Sequence, residues 1–186
     1  GGNPTVSYHV AKNAAKMAGA KRTETIKSKS GLVLGGDIDA VSAFNEETET
    51  LYLMAYNFKN DLDYKTSTDL SFEINAPQFD GKKVKITTYT IDDDCNYFDE
   101  WVEDRKTYNI GDDCFGWSPD DPQIDNPTTL KNQEARDIYF NKLYSKYSEC
   151  SKLAPTEEAV TVEDGKITLN TTLDPHAVVF YEITEV

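Results

Sequence analysis

The sequence of 186 residues carries 19 lysines and arginines against 33 aspartates and glutamates, which gives a formal net charge of −14. Such a charge repels phosphate backbones and anionic lipids, so nucleic-acid and membrane partners are not expected. The length suits one sizeable domain. A hydrophobic content of 38%, with 11 tyrosines and 8 phenylalanines, is enough for a packed core.

A helix is predicted at the start of the chain. Asn3 and Pro4 form a typical helix start, with asparagine as the cap and proline in the first turn. The apolar residues that follow recur at helical spacing and form one stripe: Val6, Val10, Ala14 and Met17. We therefore expect residues 1–22 to form a helix that packs on the rest of the chain or on a partner.

Strand patterns dominate the remainder, which we predict to be one domain over residues 23–186. The run LYLMAYNF at 51–58 is apolar on both faces, as in a central strand. Residues 70–75 and 84–91 alternate apolar and polar side chains, which indicates one buried face. Asp164-Gly165 predicts a hairpin turn, and 176–186 reads as a last strand. About eight strands without βαβ alternation favour an antiparallel β-sandwich.

A second helix is predicted before the final hairpin. Asn126-Pro127 repeats the pattern of a cap followed by proline. The apolar stripe of this helix is formed by Ala135, Ile138, Tyr139, Leu143 and Tyr147.

The strand pattern breaks between residues 92 and 126, which we predict to be an acidic, aromatic loop insertion. It holds ten aspartates and two glutamates against Arg105 and Lys106, so it carries most of the net negative charge. A long loop in a compact domain is usually functional or flexible, and dense aromatic residues argue against flexibility alone.

Aromatic side chains of this insertion are candidates for carbohydrate binding, because flat rings match the apolar face of a pyranose and neighbouring Asp and Asn match its hydroxyls. The candidates are Trp117, Tyr108, Phe115, Tyr97 and Trp101. The alternative is that Phe98 and Trp101 are buried and close the end of the sandwich, since large aromatic residues are usually buried.

Calcium is the one cofactor that the acids suggest. Asp92, Asp94, Asn96 and Glu103 occupy positions 1, 3, 5 and 12 of a calcium-loop template, but the template's glycine is replaced by Tyr97. The alternative is a strand end followed by solvated acids. A looser site would use other acids of the insertion: Asp112, Asp113, Asp120 or Asp121.

The three cysteines, Cys95, Cys114 and Cys150, allow one internal disulfide. A Cys95–Cys114 bond would close a loop of roughly 20 residues and add about 3 kcal/mol in the chain-entropy treatment. Three reduced thiols are the alternative. The two histidines, His9 and His176, have no evident nucleophile partner and are expected to be structural or exposed.

Several segments resemble the C-terminal β-sandwich of glycoside hydrolase family 39 enzymes, the β-xylosidase and α-L-iduronidase type. They are LYLMAYNF, VKITTYTIDDDCNYFDEW, Pro127-Thr128 and DGKITLNTTLDPHAVVFYEIT, which includes Pro175-His176. NPTVSYHVAKNAAKMAG resembles the last helix of such an enzyme's (β/α)₈ barrel. Two features depart from the family pattern: Cys95 stands near where the family tends to carry His-Ser, and residues 104–126 are inserted.

The resemblance implies a non-catalytic accessory module that braces a catalytic barrel of the same secreted or cell-surface protein and contacts glycan. The family's catalytic glutamates lie on barrel strands, so none carries over to this sequence. Two alternatives remain: an independent carbohydrate-binding module for a plant polysaccharide such as xylan, and a scaffold or adhesion domain. A bracing module that lacks its partner is expected to expose an apolar patch around Val6, Val10, Ala14 and Met17.

Overall fold

A computed structural model describes residues 3–23, 26–28, 34–114 and 130–186. Its contacts divide the chain into two compact units. The sheet unit comprises Val6–Asp93 and Leu153–Val186. The helical unit comprises the described residues of Gly1–Thr5 and Asp94–Lys152. Among the described residues, no helix combines the length and apolar character that a bilayer span requires.

The sheet unit contains one helix and all nine strands of the described residues. Helix α1 spans Val6–Ala15. The strands are β1 (Lys21–Arg22), β2 (Ile26–Ser28), β3 (Ile38–Asn45), β4 (Thr50–Asn57), β5 (Thr68–Asn75), β6 (Lys83–Ile91), β7 (Thr156–Thr161), β8 (Lys166–Leu173) and β9 (Val178–Glu185).

All strand pairs are antiparallel and form two sheets. The large sheet has the order β1-β3-β4-β9-β6-β7, and the small sheet has the order β2-β5-β8. Both sheets contribute to one core. Leu51, Leu53 and Ile183 of the large sheet are fully buried, as are Phe72 and Ile74 of the small sheet. The predicted mainly β, antiparallel sandwich of about eight strands, with an N-terminal helix and a helix before the final strands, is confirmed.

Local strand predictions hold where one sheet face is buried. Leu70, Phe72 and Ile74 are at most 3% exposed, whereas the intervening Ser71 and Glu73 are half-buried. The apolar run at 51–58 forms β4 up to Asn57, and this strand lies between β3 and β9 as a central strand should.

The predicted hairpin at Asp164-Gly165 is correct as a turn but not as a strand pair. Both residues have positive φ, at 54° and 59°, as a tight type I′ turn requires. However, β7 pairs with β6 in the large sheet and β8 pairs with β5 in the small sheet. Only a single bridge, Glu163 to Lys166, joins the two segments beside the turn. The turn is therefore a corner where the chain passes from one sheet to the other.

Helix α1 lies on the face of the large sheet that points away from the small sheet. Lys16, just after the helix, places its Nζ 2.9 Å from Glu182 Oε2 and 3.2 Å from the Tyr89 hydroxyl. The same Nζ is 4.2 Å from the centroid of the Tyr89 ring and 5.7 Å from that of Phe180. Phe180 is fully buried as a result of this cover and of its contact with Tyr52.

The helical unit contains helix α2 (Phe98–Thr107), then α3 (Gln133–Ile138), a π-helical turn (Tyr139–Leu143) and α4 (Tyr144–Cys150). The prediction of a loop over 92–126 is therefore wrong for 98–107. The predicted helix start at Asn126-Pro127 lies outside the described residues. Helix α3 begins at Gln133, where the Asn132 side chain accepts a hydrogen bond from the Ala135 amide at 3.0 Å.

The predicted cap at Asn3 is also wrong, because α1 begins three residues later at Val6. The Asn3 side chain instead accepts a hydrogen bond from Ser148 Oγ at 2.7 Å and donates one to the Tyr139 hydroxyl at 3.3 Å. Asn3 is buried there, as a member of the helical unit.

Candidate functional site

An aromatic cluster forms the centre of the helical unit and contains most of the predicted carbohydrate-binding residues that are described. Its buried members are Ile110, Cys114, Ala135, Leu143 and Tyr147, and Tyr97, Trp101, Tyr108, Leu130, Ile138 and Tyr139 pack against them. Helix α2 begins with acids in its first turn and ends with Arg105 and Lys106, an order that suits the helix dipole.

The candidate sugar-binding aromatics make ring contacts within this cluster. Tyr97 stacks on Tyr147 with centroids 5.1 Å apart and an interplanar angle of 23°. Trp101 meets Tyr147 and Tyr139 edge-on, at 6.0 and 6.2 Å. Tyr108 is half-buried, with Lys142 Nζ 5.3 Å from its ring centroid. These rings therefore hold the helices together, and their binding of sugar stays a prediction.

The predictions for Phe115, Trp117, Phe98 and the burial of Trp101 have different outcomes. Phe115 and Trp117 lie outside the described residues. Trp101 is half-buried, as the alternative of a buried role predicted, but its neighbours are helical rather than strand residues. Phe98 is 61% exposed on the first turn of α2, so the expectation that it closes the sandwich is wrong.

One carboxylate links helices α2 and α4. Asp104 Oδ2 accepts hydrogen bonds from the Tyr147 hydroxyl and from Lys146 Nζ, both at 2.8 Å. Burial raises the pKa of Asp104, but the bonds from Lys146 and Tyr147 lower it by more, so the net pKa lies below its ordinary value. Burial, reinforced by the Asp104 anion, raises the pKa of Tyr147. Asp104 is thus a stable anion with a structural role.

Two of the predicted calcium ligands make other contacts in the structure. Asn96 Oδ1 accepts hydrogen bonds from the amides of Tyr97 and Phe98, at 2.9 and 3.3 Å. Glu103 pairs with Lys106 at 2.6 Å. Across the described ranges, no group of three or more His, Cys, Asp or Glu side chains is placed to hold a metal ion.

The looser calcium site is only partly described. Asp112 pairs with Arg105 at 2.5 Å, and Asp113 lies beside it in a short 3₁₀ turn, while Asp120 and Asp121 fall outside the described residues. Calcium binding therefore remains a prediction.

All three cysteines lie in described segments, and no disulfide joins any two of them in the structure. Cys95 and Cys114 are buried and Cys150 is half-buried. The Cys95–Cys114 disulfide remains a prediction, which alkylation and mass measurement of the unreduced protein can test.

Sequence analysis missed a cleft in the sheet unit, where β4 ends and β9 begins. Its volume is about 420 Å³. Its lining includes Tyr56, Asn57, Phe58, His176 and Val178. His176 is exposed, as expected of it, whereas His9 is buried in α1. Of the sequence motifs noted above, Pro175-His176 lies at this cleft. Only the pairing of β4 with β9 places His176 next to Phe58.

No protein-family model and no curated protein matches the sequence. Among solved structures, the GH39 enzyme from Xanthomonas axonopodis pv. citri is 11% identical with a TM-score of 0.48, over 79% of this chain and 26% of its own. A monomeric β-xylosidase from Caulobacter crescentus is 10% identical with a TM-score of 0.45, over 77% and 25%.

A bacterial orthologue of human α-L-iduronidase is 12% identical with a TM-score of 0.44, over 81% of this chain and 23% of its own. The present chain thus spans about a quarter of the length of these glycoside hydrolases. At such identities, and with TM-scores below 0.5, the likeness assigns neither a family nor a role to this chain.

Proposed function

We propose that this chain is a non-catalytic β-sandwich module of a glycoside hydrolase, and that it braces a catalytic (β/α)₈ barrel. The observation that supports this most is where the family-39-like segments lie. LYLMAYNF forms most of β4, VKITTYTI forms most of β6, and HAVVFYEIT provides β9. In the large sheet β9 pairs with both β4 and β6, so the three segments form one continuous hydrogen-bonded centre.

Helix α1, which resembles the last helix of a barrel, supplies the bracing contact in this proposal. Its apolar stripe of Val6, Val10, Ala14 and Met17 is half-buried. The exposed apolar patch expected of an unpartnered bracing module is therefore formed only in part by these four residues. The ion pair of Lys16 with Glu182 fastens the end of the helix to the large sheet. A domain joined to the start of α1 would be held close to the sandwich and would lose little further freedom on docking.

The lowered pKa of Asp104 argues against this one residue as the general acid of a glycosidase. A glycosidase needs a carboxylic acid whose pKa is raised so that it can protonate the leaving oxygen. Asp104 has the opposite property, because its bonds to Lys146 and Tyr147 keep it ionised.

The test is to read the coding sequence upstream of Gly1 and to express the encoded protein with and without residues 1–186. We expect a barrel that cleaves an aryl glycoside and melts at a lower temperature when residues 1–186 are removed. Lys16→Met in the full protein should reproduce part of that loss, whereas Lys12→Met, on the exposed side of α1, should not. A coding sequence without a barrel, or glycoside cleavage by residues 1–186 alone, would refute the proposal.

A further inference from the structure

The cleft at the junction of β4 and β9 is large enough to hold a small molecule. Its volume of about 420 Å³ lies within the roughly 300–1,000 Å³ typical of such sites. Phe58 follows the last residue of β4 and is 49% exposed, so its ring offers an apolar face to solvent. The His176 ring stands edge-on to it, with centroids 6.4 Å apart and an interplanar angle of 86°. The two rings form one corner of the cleft.

Asn57 supplies a buried acceptor without a donor. It is fully buried, and its Nδ2 donates to the carbonyl oxygens of Leu173 and Asp174, at 3.1 and 3.3 Å. These two acceptors fix the orientation of the amide, so the remaining atom is Oδ1. Asn57 Oδ1 is buried and has no hydrogen-bond partner within the described structure. A buried acceptor left in this state is destabilising, and a hydroxyl donor would relieve that cost.

The backbone at His176 is held in an unfavourable conformation. Its φ is 67°, in the left-handed region that side chains other than glycine rarely adopt. The His176 amide donates to the Asn57 carbonyl at 2.6 Å, which fastens this turn to the end of β4. Backbone strain of this kind is enriched at ligand-binding sites.

The surrounding charges select against an anionic ligand. Asp37, next to the lining residue Gly36, forms an ion pair with Lys59 at 3.5 Å, so this lysine is already paired. Asp174 lies two residues before His176, and the chain as a whole has a charge of −14. An uncharged molecule with hydroxyl groups and an apolar face fits these conditions better than a phosphate or a carboxylate.

We propose that this cleft binds a neutral saccharide. A sugar ring would lie on Phe58, and one hydroxyl would bond to the His176 imidazole. A small movement of the Asn57 side chain would let a second hydroxyl donate to Oδ1. The proposal does not depend on the bracing role, because a binding cleft and an anchored helix use different residues of the sheet unit.

The test is nuclear magnetic resonance of the labelled 186-residue chain during titration with four neutral trisaccharides: xylotriose, cellotriose, mannotriose and arabinotriose. We expect at least one of them to shift the amide signals of Asn57, Phe58 and His176. Phe58→Ala should weaken that binding by about tenfold or more, as truncation of an aromatic contact does. Phe140→Ala is the matched control, because Phe140 is 57% exposed but belongs to the helical unit.

His176→Gly provides a second readout. Glycine accepts positive φ, so this variant should be at least as stable as the native chain while it binds the saccharide several-fold more weakly. The proposal is overturned if none of the four sugars shifts these signals at millimolar concentration. It is equally overturned if glucuronic acid binds more tightly than the neutral sugars, or if His176→Gly binds as well as the native chain.

Discussion

The hydroxyl of Tyr147 on α4 donates a 2.8 Å hydrogen bond to Asp104 on α2, and Tyr147 is a buried member of the aromatic cluster of the helical unit. Tyr147 has no exposed surface, and three aromatic rings, those of Tyr97, Trp101 and Tyr139, contact its ring. This one side chain therefore combines the apolar and the polar links between the helices.

Tyr147→Phe should destabilise the helical unit by about 2 kcal/mol, because it removes a hydrogen bond to a charged group and keeps the ring. Amide hydrogen exchange of α2 and α4 measures the effect. Tyr144→Phe is the control, since among the described residues no hydrogen bond of its hydroxyl is found, and it should change exchange little. Equal effects of the two variants would show that the Asp104 bond contributes nothing.

The stability of the helical unit should fall in acid because of Asp104. Its pKa in the folded chain lies below the ordinary 3.8, so its contribution is present above pH 3.8 and is lost as the pH drops through the lower, folded value. Asp104→Asn removes this titration. The difference in unfolding free energy between the native chain and Asp104→Asn should therefore be large at neutral pH and shrink in strong acid. A difference that stays constant with pH would contradict this assignment.

Lys16→Met should loosen α1 from the large sheet. The variant keeps most of the aliphatic stem but loses the bond to Glu182 and the cation above the Tyr89 ring, which together are worth about 1 kcal/mol at a partly exposed site. Urea unfolding and the exchange of α1 amides measure the loss. Lys12→Met, on an exposed position of the same helix, should leave both unchanged.

Gly165→Ala should destabilise the sheet unit more than Gly81→Ala. Both glycines have positive φ, at 59° and 72°, so alanine costs about 1–2 kcal/mol at either site. At Gly165 the new Cβ would also lie 3.1 Å from Pro77 Cα, whereas at Gly81 nothing lies within 4 Å. The additional loss of unfolding free energy in Gly165→Ala, measured by thermal or urea unfolding, reports how closely Pro77 packs against residue 165. Identical losses would mean that Pro77 moves aside freely.

Sequence reasoning was strongest where burial is one-sided. Leu70, Phe72 and Ile74 alternate with polar residues because one face of β5 meets the core, and that pattern is legible locally. The turn at Asp164-Gly165 was equally easy to predict, because few other residue pairs accept a positive φ at both positions. The pairing of the strands could not be predicted in this way, because β7 pairs with β6 and β8 pairs with β5, both of which are distant in sequence.

Helix α2 could have been predicted from the sequence. Asn96 stands just before the helix, where its side chain accepts hydrogen bonds from the Tyr97 and Phe98 amides. Acids follow in the first turn, and Arg105 and Lys106 lie in the last turn. The density of aspartates suggested a loop instead. The cleft is a different case, because Asn57 and His176 are more than a hundred residues apart and no local pattern links them.

The π-helical turn at Tyr139–Leu143 has a consequence for length variation in this helix. The Tyr144 amide bonds to the Tyr139 carbonyl, five residues back, so the turn holds one residue more than a regular α-helix. In a regular α-helix, the eight steps from Tyr139 to Tyr147 would leave the two side chains about 80° apart around the helix axis. Seven steps would leave them only about 20° apart. A deletion of one codon within the turn should therefore restore a regular helix and leave both tyrosine rings in register.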